Sequence, residues 1–219
     1  MSGGVLGYWD IRGLGEPIRY LLHYKGVDFE DKRYYTHPSW MAEKFKIGLD
    51  FPNLPYFIDE DVKISQSKAI LRYLAQKYDL DGQTKEQKVK VMVVEQQLND
   101  LCMNFLQTCY NPEFEKLKPN YVKNLPAQLK LLSDFLGEKQ FLVGDNVTYV
   151  DFMAYDVFDF HRLFMPSIFN EFSNLLAYQE RMENLPELQK YFHSHTYRRW
   201  PFFAPFAKFG GSGEMPKYE

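Results

Sequence analysis

Near the amino terminus a tyrosine, Tyr8, sits in a short apolar run from Val5 to Trp9, and Gly13 and Gly15 follow closely. A phenol beside a glycine-rich turn into a helix is a hydrogen-bond donor next to free backbone amides, an arrangement that stabilises an anion. A second signal is Leu54-Pro55, placed ahead of an apolar run. A cis bond there would leave the Leu54 N–H and C=O free for an extended peptide ligand, although an ordinary edge-strand proline fits equally well. Third, Ser65-Gln66-Ser67 opens a helical pattern, and free amides with a serine hydroxyl suit a carboxylate. Taken singly, each has a plain structural explanation: a packed tyrosine, an edge proline and a capping run.

The chain that must position these groups has 219 residues, 45% of them hydrophobic and 25% charged, with formal net charge −3. That is globular composition, and it excludes extended disorder, collagen and a bare disulfide scaffold. A pI near 6.0 argues against a nucleic-acid binder, which needs a basic face. No apolar run approaches the ~18 residues of a membrane-spanning helix. The start, Met1 to Gly7, has neither a basic region nor a long apolar stretch, so no secretory leader is expected and the location is expected to be cytoplasmic. Cys102 and Cys109 are the only cysteines. They read as two half-buried thiols in a reducing compartment, and no metal site is expected from them and five scattered histidines.

Val5–Trp9 reads as a strand. Pro17 suits a first helical turn, Ile18, Leu21 and Leu22 recur at helical spacing, and Gly26 suits a stop. From Val27 to Tyr35 the period changes to two: Val27, Phe29 and Arg33 alternate with Asp28, Glu30 and Lys32, a strand with one wet face. After a short segment with Trp40 and Phe45, Leu54–Ile58 and Val62–Ile64 flank the acidic turn Asp59-Glu60-Asp61, a hairpin. Ser65 is then the N-cap of a helix whose buried stripe is Ile70, Leu71, Leu74 and Tyr78. A βαβ unit followed by ββα is a thioredoxin-like order. Such a domain raises the question of a Cys-x-x-Cys motif, yet Gly7-Tyr8-Trp9-Asp10-Ile11-Arg12-Gly13 has no cysteine. Any reacting thiol must therefore come from a ligand, and Tyr8 is the polar group placed to meet it.

Asp79–Thr84 reads as a linker, and beyond it strand signals vanish. Leu98, Leu101, Cys102, Phe105 and Cys109 share one helix face, and Phe114 to Gly137 is helical with Pro119 and Pro126 inside, which predicts a kink or a late start. Thr148 and Asp151 have capping-box spacing, with Val147 and Phe152 as the staple, so Asp151 is assigned a structural role. Further helices follow Asn174 and Pro186, and an aromatic tail starts at Trp200. The expected architecture is a thioredoxin-like α/β domain over residues 1–82 and an all-helical domain over residues 83–219.

Several runs together resemble one family. They are Gly7-Tyr8-Trp9-Asp10-Ile11-Arg12-Gly13-Leu14, Gly48-Leu49-Asp50-Phe51-Pro52-Asn53-Leu54-Pro55-Tyr56, Gln66-Ser67 with Ala69 to Leu74, Cys109-Tyr110-Asn111-Pro112, and Thr148 to Phe152. In order and spacing the chain is similar to the cytosolic glutathione transferases, and specifically to the mu class. The resemblance implies a homodimeric enzyme that adds the glutathione thiol to hydrophobic electrophiles, with glutathione as co-substrate and no resident cofactor. Tyr8 matches the catalytic tyrosine that donates to the bound thiolate. Trp9, Trp40, Lys44 and Asn53 match positions at the glycyl end. Leu54, followed by Pro55, matches the backbone partner of the cysteinyl unit. Gln66 and Ser67 match the γ-glutamyl site, and Asp100 matches a carboxylate reaching that group in the neighbouring subunit. Tyr110 matches a hydroxyl over the electrophile that assists as an acid. Ile11, Leu14, Met103 and Phe203 resemble the apolar walls, with Leu14 also beside glutathione. Phe51 resembles the key inserted into the partner subunit, and Arg72 matches a residue near the dimer axis.

The chain departs from vertebrate mu enzymes between Tyr34 and Trp40, where the long loop is missing. The arginine that helps bind the glycyl carboxylate has no counterpart, which shifts that anion towards Lys44 and leaves glutathione affinity open. In this loop and in the Trp200–Gly211 tail the chain resembles invertebrate forms, including those of parasitic flatworms. Besides the conjugating enzyme, two other readings stay open: a non-catalytic carrier of hydrophobic ligands, and an isomerase that uses glutathione.

Overall fold

The computed structural model describes residues 4–217. The outermost residues of the two expected domains, and the first three of the segment read as leaderless, lie outside the described residues.

β1 (Val5–Trp9) lies inside a four-stranded sheet of order β2-β1-β3-β4, where β2 is Glu30–Tyr34, β3 is Tyr56–Asp59 and β4 is Val62–Ser65. β1 and β2 run parallel, joined through α1 (Glu16–Tyr24), while β3 and β4 are antiparallel additions. α3 (Ser67–Lys77) returns to pack beside α1, with Ile70, Leu71 and Leu74 buried as the helical stripe requires. The order is the thioredoxin-like one.

Four local features differ from the sequence expectation. β2 begins at Glu30, not Val27, because the Val27 N–H bonds back to Leu22 C=O at the end of α1. Neither face of β2 is simply wet: Asp31 and Arg33 pair with Arg19 and Asp10, while Lys32 and Tyr34 reach Glu43. The segment after it forms α2 (His37–Glu43), capped by Thr36, whose hydroxyl accepts from Ser39 N–H. Ser65 is not an N-cap. It ends β4 and its hydroxyl donates to Phe51 C=O at 2.6 Å, and α3 starts at Ser67 after Gln66 at φ +74°.

The rest of the chain is helical: α4 (Lys85–Tyr110), α5 (Phe114–Leu136), α6 (Tyr149–Phe164), a 3-10 turn (Pro166–Glu171), α7 (Ser173–Glu183) and α8 (Pro186–Phe192). α5 starts ahead of Pro119 and Pro126, so the late start is corrected. The linker is anchored, since Leu80 is buried and its C=O accepts from Tyr149 N–H at the start of α6. Thr84 and Gln87 then form a reciprocal capping box for α4. One apolar core runs from Leu6 and Phe57 of the sheet through Leu74 and Leu98 to Phe152 and Phe158. Cys102 and Cys109 are free, and burial pushes both thiols up to about 12, so neither is a ready nucleophile. Among the described residues no helix is long and apolar enough to cross a membrane.

Candidate active site

β1 delivers Tyr8 beneath the turn that leads into α1. The ring is buried and its hydroxyl oxygen accepts a hydrogen bond from Leu14 N–H at 3.0 Å. The turn lies close over the phenol: a Cβ at Gly13 would stand 2.6 Å from the Tyr8 oxygen, and one at Gly15 2.4 Å from its ring. Gly13 also holds φ +44°, a backbone region few other residues adopt. With a backbone amide donating into the oxygen, the phenolic proton is left to be given elsewhere.

Burial pushes the Tyr8 pKa up to about 12, against the Leu14 amide and the Arg19 guanidinium, which both favour the phenolate. Tyr8 is therefore a neutral donor at physiological pH and not a tyrosinate base. Ultraviolet difference titration of the free protein against Tyr8→Phe should show no Tyr8 phenolate below about pH 10, the ordinary tyrosine value. A phenolate titrating near neutrality would overturn this assignment.

Beside Tyr8, Trp40 is buried, stacked on Tyr56 at 6.2 Å and edge-on to Tyr34. Its helix is pinned to the sheet edge by Glu43, which accepts from Lys32 at 2.6 Å and from Tyr34 at 2.8 Å. Lys44, half-buried, caps the same helix, and Trp9 stands edge-on to Tyr34. Asn53 is exposed just before Leu54-Pro55, whose peptide bond is cis. Among the described residues nothing pairs with the Leu54 backbone N–H or C=O. Gln66 is exposed, and Ser67 is the first residue of α3, at its amide-bearing end. Asp100 is exposed on α4, away from any ion pair within the described chain.

A second group of residues borders the first. Tyr110 ends α4, and its hydroxyl oxygen accepts from Ala204 N–H at 2.8 Å. Its ring lies between Phe203 at 5.5 Å and Phe206 at 5.2 Å. Phe203 is buried, whereas Phe206 is 75% exposed, a residue the sequence reading did not single out. Ile11 and Leu14 pack against the Tyr8 cluster, and the two groups are joined by a Gly13 N–H bond to Phe202 C=O at 2.9 Å. Met103 is half-buried on α4 and belongs to none of the apolar clusters. Phe51 is 73% exposed. Arg72, half-exposed, is gripped by both oxygens of the buried Glu95, at 2.6 and 2.7 Å.

Two family models match, the glutathione S-transferase N-terminal domain over residues 4–76 and the C-terminal domain over residues 99–195. Glutathione S-transferase Mu 1 of Mus musculus is 47% identical over 210 residues, 93% of this chain and 96% of its own length. The chain belongs to the glutathione S-transferase family. A glutathione S-transferase of the mite Dermatophagoides pteronyssinus is 46% identical over 219 residues, covering 97% of this chain and 99% of its own. The crystal structure of the glutathione S-transferase Blo t 8 superimposes with a TM-score of 0.88 at 36% identity, over 94% of this chain and 99% of that one.

What the sequence did not reveal in this transferase is the polar frame behind Tyr8. Arg19 is fully buried, paired with Glu16 and Asp31, and donates to Ile11 C=O at 2.9 Å, with its guanidinium carbon 5.9 Å from the Tyr8 ring centre. Arg12 is fully buried between Asp156 and Asp159 of α6. Among the described residues no cluster of histidine, cysteine and carboxylate side chains is placed to hold a metal ion.

Proposed function

We infer that this transferase holds the glutathione thiol as a thiolate against the Tyr8 hydroxyl and adds it to hydrophobic electrophiles. The observation that carries this is the Tyr8 phenol, neutral and locked as a donor by the Leu14 amide. In this reading Trp9, Trp40, Lys44 and Asn53 take the glycyl end, and the free backbone of Leu54 pairs with the cysteinyl unit. Gln66 and Ser67, at the head of α3, take the γ-glutamyl group. The electrophile lies against Ile11, Leu14, Met103, Tyr110 and Phe203. Tyr110, tied to the Ala204 amide as Tyr8 is to Leu14, offers its own proton to a leaving group or an oxyanion. Glutathione is a co-substrate, and no resident cofactor is needed. We divide the chain into a glutathione-binding unit, 1–82, and a helical unit, 83–219, and place the protein in the cytoplasm.

The test is conjugation of glutathione to chlorodinitrobenzene between pH 5.5 and 8.5. The rate should rise with an apparent pKa well below the ~8.5 of a free thiol. Glutathione binding without turnover on this and other electrophiles would make the protein a carrier instead.

We also assign a homodimer. Phe51 projects into solvent, and on α4 Val89, Met92 and Val93 are 48%, 53% and 62% exposed, apolar surface that a second subunit would cover. Phe51→Ala should loosen the dimer, and Asp100→Ala should weaken glutathione binding in the neighbouring site. Sedimentation of the unmodified protein as a compact monomer would sink both expectations.

A further inference from the structure

The turn between β1 and α1 is held by polar bonds in three directions. Arg12 donates through Nε to Asp156 at 3.1 Å, through Nη1 to Asp159 at 2.6 Å, and through Nη1 to the Arg199 C=O at 3.2 Å. Gly13 N–H reaches Phe202 C=O at 2.9 Å, and Leu14 N–H reaches the Tyr8 hydroxyl at 3.0 Å. Three consecutive residues thus link the sheet, α6, the aromatic tail and the phenol.

Apolar packing alone does not fix this turn. On one side Gly13 and Leu14 border a half-open pocket of about 40 Å³, shared with Ser67 and Lys68 of α3, Asn99 of α4 and Asp156 of α6, so the turn is not packed on every side. Nor does burying an arginine between two carboxylates add much stability, because desolvation offsets most of the attraction. What a fork-shaped guanidinium supplies is direction, since its donors lie in a fixed plane. Arg12 also sits 4.9 Å from the Phe160 ring, which restricts that plane further.

We propose that Arg12, clamped by Asp156 and Asp159, is a positioning residue that aims the Leu14 amide at Tyr8 and so tunes the phenol as a donor to the thiolate. The clamp acts across the boundary between the two units. The same turn, through Gly13 and Phe202, keeps the Tyr8 hydroxyl in register with the tail that carries Phe203 and the Ala204 amide. A loosened clamp lets the turn shift, weakens the Leu14 bond and makes Tyr8 a poorer donor. The inference rests on the role of Tyr8 proposed above.

Replacing Arg12 itself would take from Asp156 and Asp159 the buried cation closest to both, leaving them only Tyr20 and the more distant Arg199 among the partners seen, so the test uses Asp156→Asn and Asp159→Asn. Each keeps an oxygen for Arg12 and leaves it one charged partner. The pKa of enzyme-bound glutathione, followed by thiolate ultraviolet absorbance, should rise by about half a unit, roughly threefold less thiolate below it. The KM for glutathione should stay within about twofold, because Trp40, Lys44, Gln66 and Ser67, assigned to the two ends of the tripeptide, make no bond to the clamp. A melting temperature that falls while the bound-thiol pKa stays put would make the clamp a stability element and overturn the proposal. An unmodified protein whose bound thiol titrates like free glutathione would overturn the Tyr8 role first, and this with it. A second measurement needs no variant: in the unmodified protein the Gly13 and Leu14 amides should exchange with solvent as slowly as the core of α6. Exchange as fast as at exposed Asn53 would refute the clamp.

Discussion

Tyr8→Phe raises the pKa of bound glutathione by about 1.5 units and lowers conjugation at pH 7 about ten- to a hundredfold. Lowering a thiol from ~8.5 by about two units takes ~2.7 kcal/mol of preferential thiolate stabilisation. A hydrogen bond to a charged group supplies roughly 1.5–3 kcal/mol, and a nearby helix N-terminus about 0.3–1. Losing the phenol therefore removes most of the shift and leaves a residue from the turn. At pH 7 that is about eightfold less thiolate, but the remaining thiolate is more basic and roughly fivefold more reactive. The ionisation effect thus nearly cancels, and the larger share of the loss is misplacement of sulfur against the electrophile. The ratio of wild type to variant should accordingly narrow as pH rises through the variant's thiol pKa, then level about fivefold below the positional share, because the variant's more basic thiolate stays the more reactive. A ratio independent of pH would mean that Tyr8 does not govern ionisation at all.

Asp151→Ala destabilises the helical unit by about 3 kcal/mol, or about 10 °C in melting temperature for a chain this size. Asp151 is buried and accepts from Leu142 N–H at 2.9 Å, Thr148 N–H at 2.8 Å, the Thr148 hydroxyl at 2.9 Å and the Tyr178 hydroxyl at 2.9 Å. Burial raises its pKa, against those four bonds, so the carboxylate is a bought-in cap with a desolvation cost. Alanine removes that cost but strands two backbone amides inside the protein, each worth roughly 1–3 kcal/mol. The Tyr178 hydroxyl keeps Asp151 C=O at 3.2 Å as a partner, which limits the loss. Activity per folded molecule should be unchanged, since Asp151 faces the head of α6 and not Tyr8. A variant melting within about 2 °C of the parent would show the cap to be dispensable.

Much of the fold was legible because hydrophobic period and helix-end chemistry agree. Pro17 near the start of α1, Gly26 beyond it at φ +63°, and the Ile70–Leu71–Leu74 stripe all lie where the pattern puts them. The α2 helix was not, because Trp40 is its only buried residue and one residue has no period. Ser65 misled for a related reason: a serine before a helix reads as a cap, and only the folded chain shows its hydroxyl committed to Phe51 C=O. In the candidate site, the glycine-rich turn over Tyr8, the cis Leu54-Pro55 bond and Ser67 at the head of α3 lie where local motif puts them. The Arg12 cluster was not, since its partners lie 144 and 147 positions away and nothing near Arg12 names them. Long-range ion pairing leaves no periodic trace in a single sequence.

Tyr8 and Tyr110 share one arrangement, a backbone amide donating into each phenol oxygen. Both hydroxyls are thereby turned outward as donors, each proton directed away from the amide that holds its oxygen. A neutral phenol is no base, so in the reading proposed above Tyr8 does not take the proton that glutathione sheds on ionising. In that reading the proton leaves for the surroundings, and the share of glutathione held in its reactive form follows their pH through mass action.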